Sequence, residues 1–470
     1  MDEFDVIVIG GGPAGENAAD YAIAGSTRTA VLIEHELVGG ECSYWACMPS
    51  KALLRPGEVL GAAQNMPGVD AKGLDVPAVL ARRDSYTSGH DDSGQVKWAR
   101  HLGIEVVRGH ARISGERTVT VDGQRTLRAR HAVVVATGTT ASIPETPGLQ
   151  ESLPWTSRDV TNLREVPRRV VIVGGGVVAC EAATWLLNLG VADLTLVVRG
   201  NGLLPRMEAF AGERVADSLI DRGATVLFGT EVVSVSRPNP ADTGIGRVHG
   251  GPSTVELSGG GSVEADEIVI ATGRTPRTSS LGLSQDLLDD RGYVTVDDTL
   301  TATDGWLYAV GDCNGRSPLT HMGKYQARVC GDVIAARAEN RSIDRPRFRA
   351  SADHGQVPQV VFTSPQAAST GLTERQARDN GLDVETVEAD IAVAGSSLSR
   401  DDFTGHAKLV VDRGSDTLVG ATFVGTEVAE LLHSATVAVV GGVTMDALWH
   451  AVPAYPTVSE VWLRLLEARG

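Results

Sequence analysis

The stretch Asp5-Val6-Ile7-Val8-Ile9-Gly10-Gly11-Gly12-Pro13-Ala14-Gly15 decides the fold. Four of its first five residues are apolar and β-branched, which predicts a short buried strand. The glycines predict a tight turn, and Glu16 to Ala24 a helix. In that order the elements leave unpaired amides at a helix N-terminus with little side chain in the way, and a pyrophosphate can sit there. A second apolar strand, Ala30 to Ile33, ends in Glu34, nineteen residues beyond Gly15. A carboxylate at that distance receives the two hydroxyls of an adenosine ribose. Gly10, Gly12, Gly15 and Glu34 are therefore candidate dinucleotide-binding residues.

The pattern recurs. Arg169-Val170-Val171-Ile172-Val173 leads into Gly174-Gly175-Gly176-Val177-Val178-Ala179, with a helix expected from Cys180 to about Leu189. Each unit is followed later by an apolar strand ending in Ala-Thr-Gly, His131 to Val135 before Ala136-Thr137-Gly138 and Glu267 to Ile270 before Ala271-Thr272-Gly273. The fold class is thus α/β with two dinucleotide-binding domains. Their acids differ, because the position equivalent to Glu34 is Val198, followed by Arg199. A site without that carboxylate and with a cation accepts a 2'-phosphate, so NADPH is expected over NADH at Gly174, Gly176, Ala179 and Arg199. Arg199 as an ordinary solvated loop residue is the alternative.

Working outward, 470 residues fit about three domains at roughly 150 residues each. A hydrophobic share of 42% supplies sizeable cores. The net charge of -17 opposes nucleic acid and anionic membrane surfaces as partners. The acidic start Met1-Asp2-Glu3-Phe4-Asp5 does not resemble a signal peptide, and no apolar run approaches the roughly 18 residues of a membrane span. A cytoplasmic location is expected.

Five cysteines are too few for a disulfide framework, so a close pair points to chemistry. Cys42 and Cys47 lie in Gly39-Gly40-Glu41-Cys42-Ser43-Tyr44-Trp45-Ala46-Cys47-Met48-Pro49-Ser50-Lys51. A distorted first helical turn can bring such a pair within bonding range, and helix amides favour a thiolate. A zinc site would need further Cys or His ligands nearby, so no metal is expected. A buried, unbonded pair is the bland alternative. Cys180, Cys313 and Cys330 stand alone and read as small core residues.

With these motifs in place, the chain resembles the flavoprotein pyridine nucleotide-disulfide oxidoreductases, the family of glutathione reductase, dihydrolipoamide dehydrogenase, mycothione reductase and mercuric reductase. The resemblance rests on both glycine turns, Gly39 to Lys51, Glu181, Ala271-Thr272-Gly273-Arg274-x-Pro276 and Tyr308-Ala309-Val310-Gly311-Asp312. It implies FAD on Gly10, Gly12, Gly15 and Glu34, with Asp312 on the ribityl chain and Gly138 and Gly273 among the cofactor-binding positions. It also implies Lys51 near the flavin N5, paired with Glu181. Cys47 would exchange electrons with the flavin and Cys42 would attack the substrate. A buried cation beside a flavin stabilises the charge of its reduced form. FAD and NADPH are the implied cofactors, and 349–470 resembles the family's dimerisation domain, so a homodimer is expected. The domains are then 1–152 with 273–348 for FAD, 153–272 for NADPH, and 349–470.

Two departures qualify the function. Thiol-disulfide members carry Ala-His-Pro-Thr-x-Ser-Glu near the end, whose His and Glu form an acid-base pair; here the stretch is Ala454-Tyr455-Pro456-Thr457-Val458-Ser459-Glu460. A phenol with a pKa near 10 is a poor base at neutral pH. His450, five residues earlier, does not match the motif and is expected to be structural or at the surface. Mercuric reductases share the tyrosine, but no cysteine follows Cys330 here and no N-terminal metal-carrying module precedes the first turn, so dedicated mercury detoxification is not expected. In the redox motif the usual Thr, Asn and Gly are Glu41, Tyr44 and Ala46, with Trp45 alongside. The two aromatics either line a pocket for a flat substrate or pack against the protein.

The leading expectation is an FAD-dependent, NADPH-driven oxidoreductase that passes electrons through a Cys42–Cys47 disulfide to a small-molecule acceptor, a disulfide or similar soft electrophile. The alternatives are reduction of a metal ion or a quinone by the flavin, and a non-catalytic flavoprotein subunit. In the last domain, strands are expected near Gln359 to Thr363 and Ala407 to Asp412, and a helix from about Glu427 to Val440. Pro238 to Ser262, rich in glycine and broken by Pro240 and Pro252, reads as hairpin loops.

Overall fold

Val6, Ile7 and Val8 are fully buried, and they form the middle of a strand, Asp2–Ile9, that pairs in parallel with Ala30–Glu34 on one side and Arg125–Val135 on the other. β-Branched residues on both faces suit a strand covered on both sides. In the computed structural model, which describes residues 1–303 and 305–470, this strand lies inside an eight-stranded sheet. Leu307–Ala309 continues the parallel pairing next to Arg125–Val135. The helix Pro13–Ile23 covers one face together with Thr320–Ala338, through Ala18, Ala19 and Ala22 on the first and Ala327, Val333 and Ile334 on the second. Met1–Pro49, Asp84–Ser142 and Gly273–Asp353 make up this compact unit.

The second unit comprises Ser50–Arg83, Ile143–Thr272 and His354–Gly470. It contains a four-stranded parallel sheet in which Arg169–Val173 lies between Asp193–Val198 and Glu267–Ile270. The helix Val177–Asn188 buries Ala182, Ala183 and Trp185 in the adjoining core. Correcting the reading of Pro238 to Ser262 as loops, Ser253–Leu257 is the middle strand of a three-stranded antiparallel sheet, between Val232–Ser236 and Ser262–Ala265. Val255, with no exposure, faces the core and holds that strand in place despite the glycines around it. The C-terminal region forms a five-stranded antiparallel sheet, built around Gln366–Gly371, Gly405–Asp412 and Thr417–Gly425, against which Val428–Gly441 and Val461–Arg469 pack. Among the described residues no helix is long and apolar enough to cross a membrane.

The two glycine turns are built alike, and the geometry explains the Ala-Thr-Gly repeats. Gly10 has φ +106°, and a Cβ there would lie 2.4 Å from the Ala136 carbonyl oxygen. Gly174 has φ +133°, and its Cβ would lie 2.4 Å from the Ala271 carbonyl oxygen. The amides of Ala136 and Ala271 in turn donate to Ile9 and Val173, the last residues of the two central strands. Each later motif therefore closes the floor of the turn in its own unit, and only glycine fits the approach. The turns differ at the helix: a Cβ on Gly15 would meet the Gly10 carbonyl at 1.9 Å, whereas the second turn accommodates the methyl of Ala179 with no exposure.

Candidate active site

The first turn is organised by Glu34. Its Oε2 accepts the Gly11 amide at 2.7 Å and its Oε1 the Glu36 amide at 2.8 Å, with His35 Nδ1 at 3.2 Å from Oε1. The carboxylate is thus fixed at the end of its strand, beside the glycines, and a Cβ on Gly12 would point into open space. Elsewhere in the same unit Asp312 is largely buried and accepts a hydrogen bond from Thr139 Oγ1 at 3.0 Å. Arg274 Nε donates to that same Thr139 oxygen at 2.6 Å. Burial raises the Asp312 carboxyl above its ordinary range, with Thr139 and Arg274 opposing. Arg274 and Arg277 also flank Glu41, at 3.8 and 3.4 Å, so the acid that replaces the usual threonine is matched by cations.

Cys42 and Cys47 lie on two successive helices, a correction to the single distorted turn expected from their spacing. Cys42 is in Gly40–Tyr44, which closes at Trp45, and Cys47 opens Cys47–Gln64. The turn into the first depends on Gly39 at φ +111°. Both cysteines are partly exposed, and Cys47 Sγ lies 3.3 Å from Thr320 Oγ1. The neighbouring aromatics are packed inward: Tyr44 is 1% exposed and donates to the Val38 carbonyl at 3.0 Å, and Trp45 stacks on His90 with ring centroids 4.3 Å apart. Cys180, Cys313 and Cys330 are fully buried, and burial pushes all three thiols up, away from the thiolate.

In the second unit Lys51 Nζ donates to both oxygens of Glu181, at 2.7 and 3.0 Å. Glu181 is 4% exposed and also accepts the Phe362 amide at 2.9 Å, and the Phe362 ring lies under the ammonium at 4.9 Å. Two segments far from Glu181 in sequence therefore converge on its carboxylate. Gly174 and Gly176 lead into the helix that carries Ala179, and Arg199 follows the strand Asp193–Val198 as a highly exposed side chain, its Nε 3.9 Å from Glu231.

Among the described residues the C-terminal motif shows no acid-base pair. Tyr455 is 77% exposed and precedes a cis proline, Pro456. Glu460 accepts the Gly395 amide at 3.0 Å, and His450 is exposed. Thr139, Thr320 and Phe362 were not singled out by the sequence. None belongs to a motif, and the positions of their partners are fixed by tertiary structure alone.

Two glycine-turn α/β units, a paired-cysteine segment and a C-terminal antiparallel sheet define a flavoprotein disulfide reductase fold. Residues 4–327 match the pyridine nucleotide-disulphide oxidoreductase family, and residues 357–466 match the dimerisation domain of those enzymes. A mercuric reductase of Staphylococcus aureus is 30% identical over 465 residues, covering 97% of this chain and 81% of that protein. A glutathione reductase of Burkholderia cepacia is 30% identical over 476 residues, covering 99% of each. In structure, the HOCl-induced flavoprotein disulfide reductase RclA of Escherichia coli, in its Cu(II) complex, aligns with a TM-score of 0.82 at 23% identity over 99% of both chains. The chain belongs to the pyridine nucleotide-disulphide oxidoreductase family and is an enzyme of that FAD-dependent class.

Proposed function

We propose that this enzyme uses NADPH to reduce a small disulfide or similar soft electrophile through a redox-active Cys42–Cys47 pair. The observation that carries the reading is the placement of these two cysteines, on consecutive helix starts with Cys47 against Thr320, while the other three thiols are buried and inert. FAD, when bound, supplies the two-electron relay between the nicotinamide and the cysteines. The residues fit it: Gly10 and Gly12 present backbone amides without side chains, Glu34 is held at the turn for the ribose, and buried Asp312 is oriented by Thr139 for a sugar hydroxyl. Gly15 lets the first helix approach the turn, and we assign Gly138 and Gly273, at φ +66° and +141° with open space where a Cβ would lie, to cofactor binding as well. Lys51, fixed by Glu181, is the cation that balances added negative charge. Gly174, Gly176 and Ala179 hold the NADPH pyrophosphate, and exposed Arg199 meets its 2'-phosphate.

Anaerobic titration with NADPH tests the reading. Uptake of two two-electron equivalents per chain, with a long-wavelength absorbance band after the first, is expected; uptake of one alone removes the cysteines from the reaction. Tyr455 and the identity to a mercuric reductase favour metal-ion reduction as a second reading. Acceptor panels of disulfides, quinones and metal ions separate these, and a quinone reaction that survives Cys42→Ser is one that bypasses the disulfide. The match to a dimerisation domain supports a homodimer, for which exposed Val437, Val440, Trp449 and Val452 in that region supply apolar surface.

A further inference from the structure

A lysine carries its charge at the end of a flexible stem, and Lys51 is partly exposed, so an ion pair with Glu181 alone would hold the ammonium loosely. Phe362 touches both partners of that pair. Its backbone amide donates to Glu181 Oε1 at 2.9 Å, the same oxygen that Lys51 Nζ reaches at 3.0 Å. Its ring centroid lies 4.9 Å from Nζ. One residue therefore bears on the carboxylate through its backbone and on the ammonium through its side chain.

Phe362 is itself fixed. It follows directly on the strand Gln359–Val361, which pairs with Gln366–Gly371. Val361 is fully buried, in the same core cluster as Leu53 and Leu54 of the Lys51 helix and Cys180 and Ala182 on either side of Glu181. Two residues past Phe362's strand-side neighbour Val361, the segment is tied again, with the Ser364 carbonyl accepting from Ser218 Oγ beyond Thr363. The amide contact survives any substitution at 362 except proline. The ring contact does not, because an aromatic face carries the negative quadrupole that attracts a cation within about 6 Å, and an aliphatic side chain has none. The ring also consumes no donor. Glu181 takes two of the three N–H groups on Nζ, which leaves one for the chemistry the ammonium serves.

We propose that Phe362 is the positioning residue of the Lys51–Glu181 pair, its ring holding the ammonium while its amide holds the carboxylate. The part this plays in turnover rests on the role given to Lys51 above, that of a cation balancing added negative charge. Phe362 acts through Lys51 and touches no reacting atom.

The test acetylates the full-length FAD-loaded protein with limiting acetic anhydride and reads the rate at each lysine by mass spectrometry. The chain has only four other lysines, Lys72, Lys97, Lys324 and Lys408, which serve as internal references. Acetylation needs the nitrogen lone pair, which an ammonium held on a carboxylate and a ring does not offer. Phe362→Leu keeps the amide and removes the ring face, so Lys51 should react about 3- to 10-fold faster relative to the other lysines. NADPH-driven flavin reduction, followed by anaerobic stopped flow, should slow by about the same factor with the half-saturating NADPH concentration unchanged. Phe362→Tyr should recover most of both changes. A 3,4,5-trifluorophenylalanine placed at 362 has nearly the shape of phenylalanine and little of its quadrupole, so it should behave as leucine does. Wild-type acetylation of Lys51 in that protein would reduce the ring to packing and overturn the proposal, even if Phe362→Leu failed to fold. The two readings fail separately: wild-type flavin reduction in Lys51→Met would remove the role given to Lys51, whereas the acetylation rates would still decide whether the ring holds it.

Discussion

Lys51 grips Glu181 with two hydrogen bonds, yet the two side chains share the burial unequally, the lysine being 38% exposed and the glutamate 5%. The exposed partner can be solvated when the pair is broken; the buried one cannot. Lys51→Met should therefore lower stability by about 1–3 kcal/mol, and Glu181→Gln, which keeps an acceptor for Lys51 and for the Phe362 amide, by less than about 1 kcal/mol. The double variant Lys51→Met/Glu181→Leu should be more stable than Lys51→Met alone. Both single variants should slow NADPH-driven turnover by roughly 10- to 100-fold, since a fixed charge is removed. Urea midpoints and anaerobic stopped-flow absorbance read the two effects separately.

Gly10 and Gly174 make the same close approach in different units, which lets the two nucleotide sites be disabled one at a time. An alanine at either position meets a carbonyl oxygen at 2.4 Å with the backbone at positive φ. Gly10→Ala should purify without FAD. Gly174→Ala should retain it, as judged by the flavin spectrum, and lose at least about 10-fold in apparent NADPH affinity. If both variants lost FAD, the assignment of one cofactor to each turn would be wrong.

Both glycine turns were legible because their information is local: strand, turn and helix follow within a few residues, and the Ala-Thr-Gly repeats mark the segments that close the turns. The acid at Glu34 was legible for the same reason. Ser253–Leu257 was not, because its neighbours are glycines and prolines and only the burial of Val255 makes it a strand. The inward packing of Tyr44 and Trp45 was left open by sequence, since an aromatic beside a cysteine looks the same whether it faces a cavity or a core. Arg83 is a harder case. It is fully buried and donates to the carbonyls of Thr161 and Leu163, some eighty residues away, and no periodicity announces such a contact.

Arg199 is 86% exposed and only loosely associated with Glu231 at 3.9 Å, so its guanidinium is available to an anion at little cost. Arg199→Ala should lower kcat/KM for NADPH by about 10- to 100-fold and leave that for NADH nearly unchanged. The NADPH preference should also weaken as salt rises, because the contact is solvent-exposed. Equal losses with both nucleotides would assign Arg199 to the fold of the loop instead of to the 2'-phosphate.

Glu16, in the first turn of Pro13–Ile23, gives a prediction about stability. Its carboxyl ordinarily titrates at 4.5 and is pushed by burial to about 7 in the folded chain. Between those values the folded protein binds the proton and the unfolded chain does not, so stability falls as pH rises through that window and is flat above it. Glutamine cannot ionise and is spared that loss. Glu16→Gln should therefore gain on the wild type by about 2 kcal/mol between pH near 5 and pH near 8, the difference arising almost entirely below about pH 7. Urea midpoints of the two proteins, compared at each pH, measure it. Parallel curves would mean that Glu16 ionises at an ordinary value, with solvent or Lys324 offsetting its burial, whereas a gain confined to pH above 7 would place the titrating group elsewhere.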